Sequence, residues 1–171
     1  MTSTEKKYHK KEIATEQLKT AIKLFLNEKD LSSVIILASA AGSILSQLAR
    51  NAEEEPFIDY ACRIHNHIKK ITPGREKYNH FINIKLGITS HKHMSDSDPE
   101  TVELDLLRCA LDGLTIAVSD FVTLYGQEEP FIKAFLHWTW HNTNGKKLIE
   151  EFKDIPKNLI QKKKKNDKRN L

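Results

Sequence analysis

The chain has 171 residues, 39% apolar and 29% charged, enough for one domain with a core and too few for two. Six glycines and five prolines exclude a collagen-like, linker-rich or disordered composition. The formal charge of +4 is uneven: residues 157–171 carry seven Lys/Arg and one Asp, while residues 1–156 hold 20 basic and 22 acidic side chains. The sequence thus predicts a mildly acidic helical domain over 1–156 and a basic, disordered tail over 157–171.

Apolar steps of three and four place side chains on one helix face. Ala14, Leu18, Ala21 and Phe25 follow that rhythm and predict the first helix. Val34, Ala38, Ala41, Leu45 and Leu48 predict the second, with Asp30 as its N-cap and Ser32 and Ser33 as alternatives. Residues 31–49 carry no charge and approach bilayer length, but six Ser/Gln side chains fit the central helix of a soluble bundle better. Ala38, Gly42 and Ser46 form a small-residue stripe on this helix, suited to close packing within the monomer or in a homodimer. Phe57, Ala61, Ile64, Ile68 and Ile71 predict a third helix, started by Glu53-Glu54-Glu55-Pro56 and stopped by Thr72-Pro73-Gly74.

Residues 78–106 give mixed signals. A helix over 75–86 followed by irregular chain is the favoured reading. Yet Ile82, Ile84, Leu86 and Ile88 alternate with other residues, as do Val102, Leu104 and Leu106, so a short β-ribbon over 82–88 and 101–106 is the alternative. Between these runs lies a polar loop, 89–101, the segment best placed to carry chemistry. Leu107, Leu111, Leu114, Val118, Phe121 and Tyr125 then predict a long helix ended by Gly126. A sixth helix over 128–142 carries Phe131, Phe135, Trp138 and Trp140, and a short seventh over 146–154 ends before Pro156. The fold class expected is all-α, a single-domain bundle of six to seven helices.

Met1-Thr2-Ser3-Thr4-Glu5-Lys6-Lys7 lacks the apolar stretch of a secretory signal, and Cys62 and Cys109 show no CxxC spacing. A cytoplasmic protein with buried, inert thiols is expected, and one Cys62–Cys109 disulfide is the alternative.

Several short segments resemble a group of small, helical, uncharacterised bacterial proteins. They are Ala21-Ile22-Lys23-Leu24-Phe25, Leu37-Ala38-Ser39-Ala40-Ala41-Gly42-Ser43-Ile44-Leu45, Lys92-His93, Asp98-Pro99 and Phe135-Leu136-His137-Trp138. The likeness spans about residues 14–142 and implies the helical fold; the group supplies no activity to carry over. Separately, Arg75-Glu76-Lys77-Tyr78-Asn79-His80 has the Arg-x4-His spacing of HEPN domains. That resemblance implies a helical, usually dimeric protein in which Arg75 and His80 act on RNA phosphodiesters without a metal; Lys92 and His93 are further candidates for the same site.

Other leads come from residue chemistry. His91 and His93, with Asp96 or Asp98, could chelate a metal from an extended loop. His137 and His141 share a helix face with Lys133, a cation that disfavours a metal there, while His65 and His67 diverge by about 200° on a helix. No phosphate-cradling glycine loop, nucleophile elbow or zinc cysteine set exists, and no cofactor is indicated. The tail run Lys162-Lys163-Lys164-Lys165 suits weak, salt-sensitive phosphate contact but has no aromatic to stack on bases. Trp138 and Trp140 point to different sides of their helix, so one is expected in the core and the other at a partner surface. The first functional expectation is a non-catalytic association module using that aromatic face. RNA binding or cleavage is the second, metal binding the third.

Overall fold

The computed structural model describes residues 5–70, 74–96 and 98–144. Seven helices and no strand occur among them: α1 Lys10–Leu26, α2 Leu31–Asn51, α3 Phe57–Lys69, α4 Arg75–Lys85, α5 Ile88–Lys92, α6 Leu106–Tyr125 and α7 Pro130–Asn142. The protein is an all-α bundle. The predicted helix over 146–154 and the basic tail lie outside the described residues.

Local chemistry starts these helices. His9 accepts the Lys11 N–H at 3.0 Å while Glu12 reaches back to the His9 N–H at 3.1 Å, a reciprocal cap on α1. Asp30 caps α2 by accepting the Ser33 N–H at 3.1 Å, as its sequence position predicts. Asp105 does the same for α6 through the Arg108 N–H at 2.9 Å, and Gly126, at φ +80°, ends that helix. Helix α3 has no side-chain cap of its own.

The core forms where α2 lies along α6 and α1, with α7 closing on α1. Ala14, Leu18, Ala21 and Phe25 of α1 are buried, as are Val34, Ala38, Ala41 and Leu45 of α2 and Cys109, Leu114, Val118 and Phe121 of α6. Each large apolar side chain taken fully out of water contributes about 1.5–3 kcal/mol. The small-residue stripe works inside the monomer: a Cβ added at Gly42 would sit 3.5 Å from Ala117 Cβ, and one at Gly113 3.8 Å from Ala38 Cβ. Among the described residues α2 is also the one helix long and apolar enough to cross a bilayer.

The β-ribbon alternative is overturned. Ile82 and Ile84 lie in α4, Ile88 opens α5, and 101–105 is irregular before α6 begins. The period-two pattern arises because the chain breaks at Gly87, whose φ of +68° lets α5 restart in a new direction. Leu86 and Ile88 are therefore buried while Ile84 is 52% exposed, so the alternating residues share no face. The polar loop accordingly begins later than expected, since its first residues belong to α5. Both cysteines are free thiols rather than a disulfide; Cys109 is buried beneath α4, its thiol donating to the Lys85 carbonyl at 3.5 Å, and burial raises its pKa.

Candidate functional site

A cleft of about 560 Å³ opens where α3, α4 and α5 meet the α2–α6 pair. Helix α2 presents Ser39, Ser43, Ser46, Gln47 and Arg50 to it, a polar stripe at three- and four-residue steps beside the buried apolar face. Helix α4 answers with Arg75, Asn79 and Asn83 at i, i+4 and i+8, backed by Ile82 and Leu86. Lys92 comes from the end of α5, and Gly113, Ile116 and Asp120 from one face of α6.

Two clamps hold these groups. Asp59 of α3 receives both guanidinium groups, Arg50 at 3.1–3.2 Å and Arg75 at 3.0 Å through Nε. One carboxylate thus fixes two arginines, and the terminal NH2 groups of Arg75 have no partner among the described residues. On the other side α5 docks on α2. The His91 ring spans the Gly87 carbonyl at 2.7 Å and the Ser32 hydroxyl at 3.2 Å, and Lys92 Nζ donates to Ser39 Oγ at 3.1 Å. Because a carbonyl only accepts, His91 carries a proton on Nδ1, and its Nε2 pairs with the Ser32 hydroxyl, which can donate or accept.

Asp120 forms the floor. It is the one fully buried charged residue among those described. Its Oδ1 accepts the Phe57 N–H at 2.7 Å, which supplies from α6 the cap that α3 lacks. Its Oδ2 has no hydrogen-bond partner. Burial pushes the Asp120 carboxyl up to about 6, opposed by the Phe57 N–H and the nearby Arg50 charge and reinforced by Asp59. Ser43, Ser46, Asn79 and Asn83 also lack side-chain partners among the described residues, so the cleft offers hydroxyl and amide groups ready for a ligand.

The residues singled out in the sequence divide. Arg75 and Lys92 converge on the cleft; His80 and His93 are exposed and do not line it. Helix geometry explains the split, since five residues turn the chain by about 140° and carry His80 off the face that Arg75 shares with Asn79. The metal candidates scatter likewise. His91 spends both nitrogens on its bracket, Asp98 accepts the Ser95 N–H at 2.7 Å, which lowers its pKa, and His93 and Asp96 are exposed. No group of three or more His, Cys, Asp or Glu placed to hold a metal occurs among the described residues. The His137 and His141 rings lie 4.3 Å apart between centroids, tilted by 52°, on the exposed side of α7, where Lys133 pairs with Glu128 instead. Trp138 packs edge-on against Phe25 at 4.7 Å, and Trp140 is 46% exposed.

Sequence reasoning missed Arg50, Asp59, Asn79, Asn83 and Asp120. The readable signals were the polar stripes of α2 and α4 and a lone acidic residue between the core positions Val118 and Phe121. The chain matches no family model, and comparisons with curated proteins and with solved structures give no significant match.

Proposed function

We propose that the protein is a binding module whose cleft receives a small organic phosphate. The observation that carries this reading is the convergence of Arg50, Arg75 and Lys92 with the Ser39, Ser43 and Ser46 hydroxyls on one cleft of about 560 Å³. Guanidinium and ammonium groups beside hydroxyl donors suit a tetrahedral dianion, and the volume falls in the usual range for small-molecule sites. Asp59 adds preorganisation, because arginines already fixed lose little further freedom on binding. Cleavage of RNA at this site has less support, since neither His80 nor His93 lies in the cleft to serve as acid or base.

Calorimetric titration of the full chain with glucose 6-phosphate and with AMP tests the reading. At least one should bind saturably, and the Arg75→Ala/Lys92→Ala double variant should weaken that binding by about tenfold or more, equivalent to about 1.4 kcal/mol. Raised salt should weaken it as well. Absence of saturable binding for both compounds overturns the reading.

A further inference from the structure

The cations share one cleft but stand at opposite ends of it. Lys92 Nζ rests on Ser39 Oγ at 3.1 Å, near the middle of α2. Arg75 Nε meets Asp59 at 3.0 Å, and Asp59 also holds Arg50, in the last turn of α2. Arg50 lies eleven residues beyond Ser39, about 16 Å along the helix axis. Were Arg50 to lean its whole side chain, roughly 6 Å, toward Ser39, about 10 Å would still separate the two charged ends. Helix α4 gives the same span from the facing wall. Arg75 opens that helix, and α5, which carries Lys92, begins only after Leu86 and Gly87. Helical side chains also tilt toward the N-terminus of their helix, which turns Arg75 away from Asn79 and from Lys92.

One phosphate does not bridge that gap. Its oxygens lie about 2.5 Å apart, so with a hydrogen bond of about 2.8 Å on either side it joins donors no more than about 8 Å apart. Each end nevertheless keeps donors in hand. The terminal nitrogens of Arg75 have no partner among the described residues, because its bond to Asp59 uses Nε. Lys92 is exposed, and its ammonium can donate more than the one bond that Ser39 accepts. Between the ends lie Ser43 and Ser46 of α2 and Asn79 and Asn83 of α4, hydroxyls on one wall and amides on the other. Among the described residues no aromatic side chain lines the cleft. A nucleobase therefore finds no ring to stack on, while a polyhydroxylated body finds donors and acceptors along its length.

We infer that the ligand is a sugar bisphosphate lying along the cleft, one phosphate at Arg75 and the other at Lys92, its hydroxyls on the serines and asparagines between. This rests on the phosphate reading above and adds the number, the separation and the carrier of the anions. Two anions on one body bind better than either alone, because the second contact is made within the complex already formed by the first.

Calorimetric titration of the full chain at pH 7.5 tests the inference. Glucose 1,6-bisphosphate is set against glucose 6-phosphate and against pyrophosphate, whose two phosphoryl groups are joined too closely to occupy both ends. The bisphosphate should bind about tenfold tighter than either, or better. Arg75→Ala and Lys92→Ala, both at exposed positions, should each remove most of that gain, and the comparison of ligands on the parent chain stands without them. Adenosine 3′,5′-bisphosphate set against AMP carries the paired anions on a nucleoside and should gain less. Equal binding of glucose 6-phosphate and its bisphosphate, pyrophosphate matching the bisphosphate, or a gain that survives either single substitution overturns the inference and leaves the phosphate reading standing. A larger gain in the nucleoside pair overturns the choice of a sugar. Failure of all five compounds to bind overturns both readings.

Discussion

Two halves of the molecule are held together differently. Helices α1, α2, α6 and α7 all contribute buried side chains to one apolar core, whereas α3 contributes none and α4 and α5 one each, Tyr78 and Ile88. What fastens α3, α4 and α5 is largely polar, with Ile82, Leu86 and Ile88 as their apolar contacts to the core: Asp59 between Arg50 and Arg75, Asp120 under Phe57, and His91 and Lys92 on the serines of α2. Hydrophobic burial is non-directional and cooperative, but such ion pairs and hydrogen bonds each contribute only about a kcal/mol net. The bundle is therefore a firm base carrying a weaker, more easily opened cover, and the cleft lies along the join. That placement suits binding, because the parts that close on a ligand come from the less stable side.

The sharpest way to test this contrast is to delete equal volumes on each side. Leu114 is fully buried in α6, in the core that α6 shares with α2. Leu114→Ala should lower the unfolding free energy by about 2–5 kcal/mol, read from the urea midpoint. A loss below about 1 kcal/mol would mean that the core relaxes around the gap and that the base is softer than argued.

The base is also the half that was easiest to read in the sequence. Steps of three and four through Ala14, Leu18, Ala21 and Phe25 marked both the helix and its buried face, because α1 packs against α2, α6 and α7 and all four residues are buried. The same rhythm in Phe57, Ala61, Ile64 and Ile68 marked helix α3 equally well but told nothing of burial. Periodicity reports which residues share a face, and only the tertiary fold decides whether that face is covered. The helix over 75–86 was legible, and the competing strand pattern came from the break at Gly87, at φ +68°, that periodicity cannot see. For the site, Arg75 and Lys92 were found, yet they were grouped with His80 and His93 by nearness along the chain. A helix selects partners at four and eight residues, so Asn79 and Asn83 joined Arg75 instead. Asp120 stood out as a lone charge in an apolar segment, but its partners were illegible, because no neighbour in sequence reveals that Phe57 donates to it and that Arg50 lies near it in space.

The next largest effect concerns Asp120 itself and depends on pH. With its folded pKa near 6 against 3.8 for the free group, the native state binds this proton more tightly than the unfolded chain does. The stability from that proton is complete below about pH 4 and is lost as pH rises through 6, an ionisation cost of about 3 kcal/mol at most. Asp120→Asn keeps the acceptor for the Phe57 N–H and never ionises. The variant should therefore exceed the parent in stability at pH 8, by up to about 3 kcal/mol, with the advantage shrinking toward pH 4. Urea unfolding at the two pH values measures it. A variant that is less stable at pH 8 would show that the fold uses the charge, through Arg50.

The smallest effect belongs to the cover. Ile68 sits near the end of α3 and is 67% exposed, next to an apolar groove lined by Phe57, Tyr60, Ala61 and Ile64. Ile68→Ala removes the same kind of side chain as Leu114→Ala but from a place where water already reaches it. It should change the unfolding free energy by no more than about 0.5 kcal/mol. Repeating the measurement over a hundredfold range of protein concentration makes the null result informative. A cost above about 1 kcal/mol that grows with concentration would mean that a second copy of the chain covers this face, since association stabilises by mass action while intrachain packing does not depend on concentration. The contrast between the halves would then belong to the isolated chain, and the stability of α3 would come from its dimer contact.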